Sequence, residues 1–460
     1  MPFQPSRIFA VLCLSLLGGC AQFAPSAGPT ALTPPAEWAN GSGVPHAAAS
    51  PATLANWWKQ LNDPQLDRLI ALAMDAAPDV RIARARLLQA RAGRELAVAG
   101  LAPRLGGSLA ATRSESGGSA QNLYNAGFDA SWEADLFGAL RYAVAGAEAD
   151  LQASSAALGA ARVSLAAEVA FNYTALRTAQ RRLAIARDNL ASQAETLEIT
   201  GWRAQAGLVT QLDVEQARTN YQQTRAAIPA LEASRSEAEH HLAILLGQAP
   251  GALRGELAEV RPLPAPPRQL ALAIPADTLR QRPDVRAAEY SVAAEVARSA
   301  QREAARLPSF TLAGTLGWQA FTPAGLGGTL ASSITGSLAA TLFDGGRLRH
   351  QAALQDAVQA QAFATYEKTL LSALEDVENA LVAYATGVER QAARRQAALA
   401  ARNAAELARQ LYQSGVVDFQ KVLDSERTRL SAEDGLASAE ADVLNAAIRL
   451  YKALGGGWKG

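Results

Sequence analysis

The sequence predicts an α+β membrane protein, a trimeric 12-stranded β-barrel with four strands per chain, continued by a long periplasmic α-helical barrel and built from two internal repeats. Three observations carry this expectation. Landmarks of the first half return in order in the second, four short segments alternate apolar with polar residues, and two proline-free stretches allow helices longer than any globular core needs.

Composition narrows the class first. The 460 residues include 43 Lys+Arg and 43 Asp+Glu, so no basic surface for nucleic acid is expected and no such partner is assigned. Hydrophobic residues make up 49% but aromatics only 6%. Much of the apolar share is alanine, which favours helix and close helix approach.

Residues 1–19 have the form of a signal peptide. Arg7 precedes an apolar run, Ile8 to Leu17, that is too short to span a bilayer. It ends in Leu17-Gly18-Gly19-Cys20, which resembles a bacterial lipobox and implies cleavage before an acylated Cys20. The alternative is a plain secretory signal with an incidental cysteine. Cys13 falls inside the signal, so the mature chain has no disulfide pair. Apart from the covalent lipid on Cys20, no cofactor is expected. Ala21 lacks the acidic character that favours inner-membrane retention in enteric lipoproteins, which fits export to outer-membrane lipid. Residues 20–56, rich in Pro, Ala and Ser, form the expected lipid-anchored tether.

The rest divides into repeat 1 (57–261), a Pro-rich connector (262–273) and repeat 2 (274–460). Pro78-Asp79-Val80-Arg81 returns as Pro283-Asp284-Val285-Arg286, and Pro103 returns as Pro308 at the same offset. Leu136-Phe137-Gly138 returns as Leu342-Phe343-Asp344, and Gly207 as Gly415, at slightly larger offsets. Each repeat opens with a helix, Asp79 to Leu101 or Asp284 to Leu307, ended by the following proline.

Strands are expected at 104–113 and 126–137, then at 309–320 and 329–343. Phe128, Trp132 and Leu136 share one face of the second; Phe310, Leu312, Leu316 and Trp318 share one face of the third. Such alternation suits a bilayer-crossing strand with aromatic residues at the interfaces, and equally a half-buried soluble sheet. The secretion and lipidation signals favour the membrane. Four strands cannot close a barrel and lipid tolerates no open sheet edge, so subunits must pool strands.

Helical hairpins are expected at 139–247 and 345–455. The stretch Gly345 to Gln413 alone would run for roughly 100 Å at about 1.5 Å per residue. At the hairpin turns, Gly207 and Gly415 suit the left-handed helix stop, and Thr210 and Asp418 suit the following N-cap. Thr210 and Asp213 have capping-box spacing. Pro229 predicts a kink in the returning helix of the first hairpin.

Two other classes fit less of the sequence. An enzyme lacks support, because no phosphate loop, nucleophile elbow or Cys/His metal pattern is present and adjacent His240 and His241 point apart on a helix. A periplasmic coiled-coil scaffold lipoprotein without a pore accounts for the helices and the anchor but not for four matched strand-like segments.

The segment Ile274-Pro275-Ala276-Asp277-Thr278-Leu279-Arg280-Gln281-Arg282-Pro283-Asp284-Val285-Arg286-Ala287-Ala288-Glu289, with Trp57-Trp58, Asp63-Pro64-Gln65-Leu66, Gly207-Leu208-Val209-Thr210 and Val422-Leu423-Asp424, resembles the TolC/OprM-type outer-membrane factors, specifically the NodT-like efflux lipoproteins. The resemblance spans essentially the whole mature chain. It implies a homotrimeric, passive exit channel of a tripartite efflux system. An inner-membrane pump supplies the energy, and a periplasmic adaptor docks at the tips around Gly207, Thr210, Gly415 and Asp418. It further implies a periplasmic gate of acidic side chains on the last helix, where Asp424 stands. Lys421 occupies the place of a second acid, so the ring would be mixed. Tyr412 and Asp213 fall where some members link the two hairpins, with Val417 in place of an arginine partner. Arg427 is positioned to pair with Asp424, either as part of the gate or as an ordinary surface ion pair. The exported substrate is not legible, because selection lies mainly in the pump.

Overall fold

Helices account for most of the chain. The computed structural model describes residues 33–458 except Ala49, Arg268 and Thr329, so the signal segment and Cys20 lie outside the described residues. The helices are α1 (Pro51–Ala55), α2 (Pro64–Ala76), α3 (Pro78–Ala99), α4 (Ala139–Gln205), α5 (Gln211–Leu245), α6 (Pro275–Gln281), α7 (Pro283–Ala304), α8 (Arg347–Gln413) and α9 (Phe419–Ala453). The strands are β1 (His46–Ala48), β2 (Arg104–Ser116), β3 (Ser119–Ala134), β4 (Leu270–Leu272), β5 (Ser309–Ala320) and β6 (Leu330–Ala339). Counterparts in the two halves have equal lengths: α3 and α7 have 22 residues, α4 and α8 have 67, and α5 and α9 have 35. Proline opens α3 and α7, where a missing N–H costs nothing. Among the described residues no helix is long and apolar enough to cross a membrane.

Two compact units emerge. A sheet unit comprises Arg86–Ser155 and Ala287–Lys368; a helical unit comprises Leu32–Ala85, Ala156–Arg286 and Thr369–Gly460. In the sheet unit, β2, β3, β5 and β6 form one antiparallel sheet in that order. The third strand matches the expected 309–320. The β2–β3 hairpin is longer than expected, closing at Gly117-Gly118, because its far end (Ser114 to Gln121) is polar and gives no apolar alternation. The fourth strand stops at Ala339 instead of 343, since Ala339 pairs with Ser309 at the start of β5 and no partner continues beyond it.

The helical unit holds the main core. Trp57 stacks on Tyr451 at 5.3 Å and meets Trp58 edge-on. Arg282, at the heart of the resemblance motif, donates to both carboxylate oxygens of Asp284 (3.1 and 2.7 Å), to Asp376 (3.1 Å) and to the Ala453 carbonyl (2.9 Å). Burial pushes the Asp284 carboxyl upward, but the Arg282 fork outweighs it and holds that carboxyl below the usual range. The motif therefore ties the start of α7 to the end of α9.

Part of the expected tether is folded. Trp38 donates to the Ala273 carbonyl (2.7 Å), Ala39 and Asn40 bind the Glu378 carboxylate, and β1 pairs in parallel with β4. The connector likewise contains β4, whose three residues are buried. Composition concealed both, since single aromatics and apolar triplets have no period. The kink expected at Pro229 does not end the helix: α5 is continuous through it.

Arg177 is 1% exposed and, among the described residues, pairs with no carboxylate. Its guanidinium lies 4.8 Å over the Tyr173 ring, donates to Gln180 (2.6 Å) and the Glu259 carbonyl (2.7 Å), and also binds Gln65. Tyr173 donates to Asp63 (2.7 Å), the N-cap of α2, and its hydroxyl is pushed up to about 12 by burial, then by Asp63. The cluster clamps α2 and residues 256–259 onto α4. Arg177→Met is expected to lower stability by about 2 kcal/mol, because two buried side-chain acceptors, Gln65 and Gln180, and the Glu259 carbonyl lose their donor. Thermal melts followed by circular dichroism check this, and an unchanged midpoint would show that water replaces the guanidinium.

Candidate functional site: sheet faces and hairpin tips

The sheet register sorts its residues into two faces. Leu105 pairs with Ala130, Ala130 with Gly314, and Gly314 with Ile334; Phe128 pairs with Leu316 and Trp132 with Leu312. Directly opposite residues share a face. One face therefore carries Leu105, Leu109, Phe128, Trp132, Leu312, Leu316, Ile334 and Leu338. The other carries Ser131, Glu133, Thr311, Thr315, Ser333, Thr335 and Ser337, with Thr315 and Ser333 hydrogen-bonded at 2.7 Å.

Among the described residues, nothing covers the apolar face. Leu105 is 76% exposed, Leu109 79%, Ile334 84% and Leu338 68%. A soluble sheet buries such a face; this one presents it outward, as a lipid-facing strand set does. Aromatic residues mark both ends, with Phe310 and Trp132 near one and Trp318 and Tyr124 near the other. Phe310 and Trp318 are separated by roughly 27 Å of extended strand. On the polar face Gly127 opposes Gly317, and a Cβ on either would lie 2.8 or 2.7 Å from a carbonyl oxygen of the facing strand. Only glycine permits that approach.

In the helical unit the two hairpin turns are built alike. Gly207 (φ 72°) and Gly415 (φ 78°) stop α4 and α8, with Leu208 N–H donating to the Arg203 carbonyl (2.8 Å) and Val416 N–H to the Leu411 carbonyl (2.9 Å). Thr210 and Asp213 form a reciprocal capping box, and Asp418 accepts from the Lys421 N–H at 3.2 Å. Leu208 and Val416 are exposed at the two tips.

The expected gate residues do not converge within one chain. The contacts of Asp213 are those of its own cap. Asp424 is exposed and, among the described residues, accepts a side-chain hydrogen bond only from Gln420 (3.0 Å), one turn away. It does not pair with Arg427, as the sequence allowed; Arg427 instead reaches α5 and donates to Asn220 (3.2 Å). Lys421 is exposed. Tyr412, by contrast, is 2% exposed within an apolar cluster with Ala217, Phe419, Val422 and Leu423.

Sequence reasoning missed the polar seam that joins the hairpins. Arg182 of α4 makes a bidentate pair with Asp434 of α9 (2.6 and 3.0 Å). Next, buried Glu433 accepts from Arg402 (2.8 Å), Arg429 (3.4 Å) and Asn189 (3.2 Å). Buried Glu426 follows, accepting from Thr196 (2.8 Å) and Asn220 (3.5 Å). At the tip, Arg203 of α4 stacks on the Tyr412 ring at 4.5 Å. The only available signal was a set of polar residues recurring among alanines, and that pattern does not reveal which of them point inward.

The two buried glutamates differ. Burial pushes both upward. For Glu426 it prevails over the opposing Thr196 hydrogen bond and Arg409 and Arg429 charges; for Glu433 the Arg402 bond, with Arg429 and Asn189, overrides it and holds the carboxyl below its ordinary value. Folding thus favours the protonated form of Glu426, so stability is full below its unfolded-state value and falls as pH rises through the folded one. Glu426→Gln is expected to gain about 1 kcal/mol at pH 8 and nothing at pH 4. A pH series of thermal midpoints tests this, and equal gains at both values would refute it.

Residues 69–248 and 274–456 match the family model described as outer membrane efflux protein. The chain is 33% identical over 462 residues to the pyoverdine export outer membrane protein OpmQ of Pseudomonas putida, covering 97% of this chain and 96% of that protein. It is 30% identical over 455 residues to nodulation protein T of Rhizobium leguminosarum bv. viciae, covering 98% and 94% respectively. The solved outer-membrane channel OprN is 34% identical and superposes with a TM-score of 0.87, over 94% of this chain and 100% of that one. With an uncovered apolar sheet and long helical hairpins matched along nearly the whole chain, this protein belongs to the outer membrane efflux protein family, the transport channels of the outer membrane, and is not an enzyme.

Proposed function

We propose that three copies of this chain assemble into a twelve-stranded outer-membrane barrel continued by a periplasmic helical barrel, forming the passive exit duct of a tripartite efflux system. The observation that carries this reading is the apolar sheet face left uncovered, bounded by the two unpaired edges of β2 and β6. In lipid every backbone group needs a partner, so each edge must be closed by a neighbouring chain. A scaffold without a pore leaves both the face and the edges unexplained.

In this reading Cys20 carries the lipid anchor, and the tips around Gly207, Thr210, Gly415 and Asp418 receive a periplasmic adaptor that links the duct to an inner-membrane pump. Asp424 is exposed near the tip and serves in the periplasmic gate, with Lys421 beside it tempering cation preference. Arg427, held by Asn220, and Tyr412, held in the core, act by fixing α9 and α8; Asp213 fixes the turn of the first hairpin.

Planar-bilayer conductance of the detergent-purified protein, with oligomer mass recorded on the same sample, tests the assembly. A trimer with discrete conductance steps is expected. A monomer that stays soluble without detergent and never conducts would overturn it. Asp424→Ala should raise single-channel conductance by removing a charge at the gate; an unchanged value removes Asp424 from that role.

A further inference from the structure

We propose that a cavity in the helical unit, between α4, α8, the end of α9 and the α6–α7 junction, is a binding site for a small organic monocarboxylate. The cavity shares no residue with the sheet or the hairpin tips, lies within one compact unit of one chain, and stands apart from the channel reading.

The cavity has a volume of about 370 Å³, within the range of small-ligand sites. Its apolar wall is Ala160 and Val163 of α4 with Ala380 and Ala383 of α8, short side chains that leave the space open. Its polar lining is unbalanced. Arg282, Arg449 and Lys452 border the cavity, against the two carboxylates of Asp284 and Asp376. Arg282 already donates to both of those carboxylates and to the Ala453 carbonyl. Arg449 and Lys452, three residues apart on α9, are neighbours on the helix surface. Among the described residues neither of their side chains makes a hydrogen bond or an ion pair, and the same holds for the hydroxyl of Ser164 on α4.

One positive charge is therefore in excess beside an apolar wall. That combination selects a ligand with a single carboxylate and a short hydrocarbon or aromatic body. The carboxylate accepts from the Arg449 guanidinium and the Lys452 ammonium, with Ser164 as a further donor, while the body rests on the alanines and Val163. An inorganic dianion fits worse, because it brings nothing to the apolar wall and its second charge meets Asp284 and Asp376. A neutral molecule leaves both cations unused. Cations near the end of α9 also suit the helix dipole. The dipole accounts for their sign but not for their sharing a cavity, and the two explanations separate in the experiment.

The probe is para-fluorobenzoate, titrated into the detergent-purified full-length protein and followed by fluorine NMR line width, with detergent micelles alone as the baseline. Saturable broadening is expected, reversed by unlabelled benzoate but not by benzyl alcohol or inorganic sulfate at matched ionic strength. The double variant Arg449→Gln/Lys452→Gln should weaken binding by about tenfold or more, as expected for loss of two charge-assisted bonds. Ala383→Phe, which fills the space and keeps both cations, should abolish it. Asp376→Asn, which enlarges the positive excess, should tighten binding by roughly threefold. Arg225→Gln, which removes an exposed cation on α5, should leave it unchanged. Absence of saturable binding to the unmodified protein overturns the site, as does undiminished binding in both the double variant and Ala383→Phe. Sulfate displacing the probe as well as benzoate does overturns the monocarboxylate assignment. A lower melting midpoint in the double variant with unchanged affinity assigns the two cations to the helix end alone and also overturns the site. Should the double variant or Ala383→Phe fail to fold, Lys452→Gln alone carries the comparison, and unchanged affinity there has the same force.

Discussion

Backbone hydrogen bonding at the rims of an uncovered apolar sheet is the constraint on which the rest depends. Among the described residues the chain supplies four paired strands, one face apolar and exposed, and two rows of edge peptide groups with no partner. Water would tolerate the rows but not the face; lipid tolerates the face but not the rows. The association of sheets proposed above satisfies both. In that assembly the strands are short contributors to a shared wall, which the helices extend.

The helical unit meets a different problem. Two hairpins made largely of alanine approach closely but bury little area per residue, so packing alone specifies their register weakly. Polar layers supply the register instead. Arg182 with Asp434, Asn189 with Glu433, and Thr196 with Glu426 each tie α4 of the first hairpin to α9 of the second. The layers lose strong ion pairing toward the tip, ending in an arginine held by an aromatic face and a carbonyl. At the other end, Arg177 and Arg282 hold the short helices and connectors.

Much of this was legible from residues alone. The third strand, the starts of α3 and α7, and both hairpin turns follow from proline, glycine and alternation, because each is dictated by local backbone chemistry. The strand ends were less legible. Ser114 to Gln121 is polar, and Leu342 and Phe343 are apolar, yet pairing extends through the first and stops before the second. Pairing depends on whether a partner strand is present, which alternation does not encode. Among the site residues, Thr210, Asp213, Gly207, Gly415 and Asp418 took up the local geometry expected of them. Asp424 and Arg427 have helical spacing for a pair, but Arg427 faces α5 and binds Asn220.

By itself the sequence determined the long helices, the hairpin turns, the barrel strands in outline and the kind of surroundings each strand face requires, since these follow from propensity, periodicity and special backbone angles within a few residues. Tertiary structure alone decided which polar side chains became buried partners. Arg203, Glu426 and Glu433 are unremarkable positions on long polar helices until a second hairpin is laid against them. Their roles arise from desolvation and from contacts between residues far apart in the chain. Both are properties of the packed arrangement, and no local pattern carries them.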